Sequence, residues 1–122
     1  MRAMIGLCLV LLSGMAFAGY DAHITRKANW SDDVGPRISF TEWQRYVRSD
    51  PQVKRDPLNT KNDFIVNLPG ESFPMWFNPD VGEVYTKDPS PKALMKLIEI
   101  ATKLSARVQG DDGEFYPPTP LK

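Results

Sequence analysis

Apolar positions along the chain change period several times, and each change marks an element. His23-Ile24-Thr25-Arg26 is a short β-prone run, followed by a polar loop through Ser31-Asp32-Asp33 and Gly35-Pro36. Ser39-Phe40-Thr41-Glu42 fits a capping box, with Ile38 and Trp43 at the hydrophobic-staple positions, so a helix is expected from Phe40. Phe40, Trp43, Tyr46 and Val47 recur at three- and four-residue spacing, and Asp50-Pro51 ends that stripe. From Gln52 to Asn62 the chain is charged and broken by Pro57, which reads as a surface connection rather than a strand. Asp63 to Leu68, with Phe64-Ile65-Val66, reads as a strand covered on both faces or near the sheet centre.

A hairpin follows Pro69-Gly70. Met75 to Asn78 and Glu83 to Thr86 flank Pro79-Asp80-Val81-Gly82, and this four-residue loop sets Asn78 opposite Glu83, Phe77 opposite Val84 and Trp76 opposite Tyr85. Ser90 is a suitable N-cap with Pro91 at the first helical position. Leu94, Leu97, Ile98, Ala101, Leu104 and Val108 trace the stripe of a second helix, with Lys92, Lys96, Glu99 and Lys103 on its other faces. Arg107 to Gln109 and Glu114 to Tyr116 read as extended segments on either side of Gly110-Asp111-Asp112-Gly113, and residues 117–122 as a frayed proline-rich tail. The element order predicts an α+β fold: a single domain, residues 19–116, with two helices packed on one face of a small mainly antiparallel sheet.

The first 18 residues change the picture of where such a domain works. Arg2, an apolar run from Met4 to Leu12 and Ala16-Phe17-Ala18 together read as an export signal, and the run is too short to span a bilayer. The expected location is the periplasm, with no membrane insertion after signal removal. Without that segment the chain has 14 basic against 15 acidic side chains, which removes the electrostatic case for nucleic acid or anionic lipid as partner. The one cysteine, Cys8, lies inside the signal, so the domain is expected to contain no disulfide, thiolate metal site or cysteine nucleophile. Stability must then come from the core, for which twelve aromatic side chains are available after residue 18.

Several motifs are familiar as a set. Ile24-Thr25-Arg26 with Trp30, Ile38-Ser39-x-x-Glu42-Trp43-x-x-Tyr46 with Asp50-Pro51, and Ala106-Arg107-Val108-Gln109-Gly110-Asp111-Asp112-Gly113-Glu114-x-Tyr116 resemble a group of uncharacterised bacterial proteins of about 100 residues. The resemblance covers both ends of the domain, and the region from Pro57 to Met75 is shorter here than in that group. It implies no activity, so it assigns no catalytic residue.

Candidate chemistry is sparse. His23 is the single histidine, so any triad or dyad would depend on it, and at the start of an edge strand it reads as structural. Asp111, Asp112 and Glu114 lack the spacing of a calcium loop and sit too close together to flank a glycosidic bond, so they read first as a tight turn and second as an acidic partner-binding loop. Phosphate loops, nucleophile elbows and zinc-protease helices are missing. No cofactor, metal site or catalytic residue is therefore expected, and the chain reads as a non-enzyme. Trp43 belongs to the core stripe, whereas Trp76 and Tyr85 form a cross-strand pair on the hairpin face opposite Met75, Phe77 and Val84. If that face points away from the helices it is a partner surface, and Trp76, Tyr85, Trp30, Arg26, Asp111 and Asp112 are its candidate residues. The leading expectation is a non-catalytic binding protein of immunity or inhibitor type with a protein partner, a toxin or envelope enzyme. The alternative is a small exported hydrolase or ligand-binding module built from His23, Arg26 and the Asp111–Glu114 turn.

Overall fold

The structure, a computed structural model, describes residues 20–117. The expected signal segment, Cys8 and residues 118–122 of the expected tail lie outside the described residues. Helix α1, Phe40–Ser49, begins where the sequence places it. Ser39 accepts the Glu42 amide through its side chain, and the Glu42 carboxylate accepts the Ser39 amide in return. Helix α2, Pro91–Lys103, starts at the Ser90 cap with proline in its first turn. Strands β1 (Asp21–Thr25), β2 (Val53–Arg55), β3 (Asp63–Leu68), β4 (Glu71–Asn78), β5 (Glu83–Lys87), β6 (Arg107–Gly110) and β7 (Phe115–Tyr116) form one sheet in the order β2-β3-β4-β5-β1-β6-β7. Every pairing in it is antiparallel.

The β4–β5 hairpin has the register its loop demands, pairing Trp76 with Tyr85, Phe77 with Val84 and Asn78 with Glu83. Gly82 is required in this loop. It takes a φ of +74°, and a side chain there would meet Cβ of Arg37 at 2.5 Å. Alternation then sends Ala22, Ile24, Phe64, Val66, Met75, Phe77, Val84 and Val108 to one face, all buried. Both helices cover that face. Phe40 lies edge-on to Phe77, Trp43 edge-on to Phe64, and Leu97, Ile100, Ala101 and Leu104 complete the core. The protein is thus a small α+β domain with two helices on one side of an antiparallel sheet.

Three features depart from the sequence expectation. Val53–Arg55, expected as part of a surface connection, is the edge strand β2, because Val53 reaches the core beside Val66 while Lys54 and Arg55 stay exposed. Strand β1 is not at an edge but lies between β5 and β6, so His23 sits mid-sheet and is only 2% exposed. The buried stripe of α2 also runs through Lys96, which was expected on another face. Its ammonium lies 2.8 Å from Asp50, the C-cap of α1, which also accepts the Tyr46 hydroxyl. Burial opposes ionisation of Asp50, but these donors and the Gln52 amide outweigh it and hold its carboxyl below the usual range.

Two predictions follow from these contacts. Lys96→Met should cost about 3–5 kcal/mol in urea unfolding, because Asp50 is left buried without its cation, and adding Asp50→Asn should recover part of that loss. The Arg26 guanidinium and the Ser39 amide hold the Glu42 carboxyl down to about 2. The stability it contributes is full above its ordinary value of 4.5 and is lost as pH falls toward 2. A Glu42→Gln variant should show a flatter stability profile over that window.

Candidate functional site on the outer sheet face

The face away from the helices carries one continuous row across six strands. Register places Asp63, Trp76, Tyr85, His23, Gln109 and Phe115 side by side, from β3 through β4, β5, β1 and β6 to β7. The loop between β1 and α1 folds back over half of this row. Its Trp30 indole stacks on the His23 imidazole, with centroids 3.8 Å apart and planes within 6°. Gln109 fastens the loop, accepting the Trp30 amide at 2.6 Å through Oε1 and donating through Nε2 to the Gly113 carbonyl at 2.9 Å. Lys27 folds under the same loop and donates to the Asp32 carbonyl.

Beneath Trp30, His23 lies between two carboxylates. Nδ1 is 2.9 Å from Glu83 Oε2, and Nε2 is 2.9 Å from Asp111 Oδ1. Glu83 is as buried as the histidine, whereas Asp111 is exposed at the turn after β6. Burial alone would lower the His23 pKa, but the two carboxylates outweigh it and raise it above the ordinary value. The other oxygen of Asp111 accepts the Asp21 amide at 2.9 Å, so the turn is tied to β1 rather than only to itself. Glu114 accepts the hydroxyls of Tyr20 and Tyr116, and Asp112 is exposed.

The second half of the row is open. Trp76 and Tyr85, with ring centroids 5.3 Å apart, are half-buried, and the Trp76 indole donates to Asp63 at 2.9 Å. Ile65 and Pro74 pair beside them on the same face, Ile65 half-buried and Pro74 exposed.

Of the residues singled out from the sequence, Trp30, Trp76, Tyr85, His23 and Asp111 fall on this row or beside it. Arg26 does not join them. It donates to Glu42 at 2.8 Å and 3.0 Å, to the Leu104 carbonyl at the end of α2 and to the Arg37 carbonyl. It lines a polar cleft of about 450 Å³ with Arg45, Tyr46 and Lys103, at the end of β6 opposite the acidic turn. A single site built from His23, Arg26 and the Asp111–Glu114 turn is therefore not assembled. Glu83 and Gln109 were missed by sequence reasoning. Alternation was the available signal, since each lies two residues from a position assigned to this face or beside one assigned to the other.

No family model, curated protein or solved structure matches the chain.

The two arms of the histidine should differ sharply in worth. His23→Ala leaves the Glu83 carboxylate buried without its hydrogen-bond partner and should cost about 3–5 kcal/mol, whereas Asp111→Asn removes an exposed arm and should cost about 1 kcal/mol or less. Chemical denaturation of both variants tests this, and equal losses would contradict the burial of Glu83.

Proposed function

We propose that this chain is a non-catalytic binding protein of the bacterial envelope, of immunity or inhibitor type, which engages a protein effector through the open half of its outer sheet face. The observation that carries the reading is the half-exposed Trp76–Tyr85 pair, flanked by Ile65 and Pro74, on the face that neither helix covers. Aromatic groups at the centre of a patch with charged neighbours are the composition of a binding hot spot. Here the neighbours are Lys54, Asp63 and Lys87, of both signs, which suits a protein surface better than a uniformly charged polymer. The sheet edges support a side-chain surface rather than strand addition. Strand β2 is three residues long and charged, and β7 is two residues long and runs into Pro117. Among the described residues no helix is long and apolar enough to cross a membrane, and the N-terminal Met4–Leu12 run with Ala16-Phe17-Ala18 supports export.

Both imidazole nitrogens of the single histidine face carboxylates under an indole, which supports a structural rather than an acid–base role for it. The function is tested by expressing the protein in bacteria challenged with envelope-acting toxins from competing strains. Protection by the wild type that Trp76→Ala abolishes supports the reading, and protection by neither overturns it.

The tryptophans separate folding from binding. Trp43→Ala should cost about 3–5 kcal/mol, because its side chain is fully buried against Tyr46 and Phe64. Trp76→Ala should cost only about 1–2 kcal/mol, a cross-strand pair and one hydrogen bond, yet weaken effector binding by about 2 kcal/mol, roughly thirtyfold. Thermal melts of the two variants and a titration against the protecting effector measure both.

A further inference from the structure

We propose that Asp21, His23 and Asp111 form a binding site for one first-row divalent metal ion of the zinc class, with Glu83 orienting the histidine. One ligand atom from each of the three residues lies within 4.8 Å of the others, where β1 starts beside the turn that follows β6. The His23 Nε2 and Asp111 Oδ1 atoms are 2.9 Å apart. Two ligands in neighbouring positions around an ion with bonds of about 2.0–2.2 Å are roughly 3 Å apart, so this spacing suits one shared ion.

Three independent features favour a cation here. The first is the buried arm of the histidine. A metal-binding imidazole characteristically donates its other N–H to a carboxylate, which fixes the tautomer that leaves the ligating nitrogen free of a proton, and buried Glu83 is placed to accept from Nδ1. The second is orientation. The stacked Trp30 ring and the sheet beneath leave the imidazole one fixed plane, with Nε2 directed toward Asp111. The third is charge. Asp111 follows the last residue of β6 and accepts the Asp21 amide, and a carboxylate oxygen of each lies within 4.8 Å of the other, a closeness of like charges that is unfavourable unless compensated. Lys87 supplies part of the compensation, 3.1 Å from Asp21, the Lys27 charge favours ionised Glu83, and a cation at Nε2, a proton or a metal ion, supplies the rest. An ion bound at Nε2 takes the place of that nitrogen's proton, which leaves to solvent; Asp111 exchanges its hydrogen bond to Nε2 for a bond to the ion, and one carboxylate oxygen of Asp21 completes the protein's share of the ligands.

The ligand set selects the ion. One imidazole with two carboxylates suits zinc and its first-row neighbours, whereas calcium and magnesium prefer all-oxygen shells. Asp111 is exposed and Asp21 half-buried, so the ion has a path from solvent and room for water in its remaining positions.

Calorimetric titration of the purified protein with zinc chloride near neutral pH should show saturable binding of one ion per chain. Nitrogen NMR of the imidazole should place the ion on Nε2, with Nδ1 protonated. Asp21→Asn and Asp111→Asn, both at the surface, should each weaken binding by at least about tenfold, and Glu83→Gln by about 10–100-fold although it touches no metal. Calcium should not displace zinc. No saturable uptake, uptake unchanged in both aspartate variants, or equal binding of calcium would each overturn the site. None of these readouts involves Trp76 or an effector, so the metal site and the binding face stand or fall separately.

Discussion

A carboxylate buried on the side of the sheet away from the core constrains everything around it. Glu83 has almost no contact with water, and an ion placed there without a partner would cost several kcal/mol. His23 meets it as a shared proton or a charge pair, with Nδ1 within 3.0 Å of both oxygens. The pairing fixes β1 against β5 in a single register, because sliding by one residue would turn the imidazole toward the core and bring Ala22 or Ile24 out to the carboxylate. With β1 placed, its free edge receives β6, the Asp111 turn arrives at Nε2, and Trp30 is drawn down to shield the pair from solvent.

The helix side repeats this arrangement in another medium. Lys96 emerges from the buried stripe of α2 and meets Asp50 where α1 ends, joined by the Tyr46 hydroxyl. Hydrophobic contact alone tolerates small rotations of a helix on a sheet, whereas a buried ammonium must find its carboxylate. The two polar clusters therefore specify orientation, one for the strand insertion and one for the helix pair, within a core whose remaining members are aliphatic and aromatic.

Features decided by neighbours a few residues away were legible in the sequence. The Ser39 capping box, the Ser90-Pro91 start and the pairing of Trp76 with Tyr85 depend on local spacing, and each is found where that spacing puts it. The position of β1, the strand at Val53 and the burial of Lys96 depend on segments far along the chain, which no local period encodes. The outer-face site divides the same way. Alternation put Trp76 and Tyr85 together, and Glu83 stood in the same alternation two residues before Tyr85. It was passed over because glutamate is ordinarily exposed, and its partner was still unknown. Grouping Arg26 with the acidic turn requires the first strand to run beside the last; β1 does pair with β6, but antiparallel, so Arg26 lies at the start of β6 and the Asp111 turn at its end.

The central place of β1 also bears on how the chain reaches its fold. Its partners lie roughly sixty residues away in β5 and over eighty away in β6, so the pairings that complete the sheet are the most distant in the chain. Closing loops of that length delays assembly relative to the β3–β4–β5 meander, which forms from adjacent segments. Until the first strand docks, β5 and β6 present unpaired backbone edges with Val84 and Val108 beside them, the kind of surface that recruits other chains. Closure of the sheet therefore waits on the strand whose partners are farthest away, and the exposure of those edges lasts as long as that search does, whatever the finished surface binds.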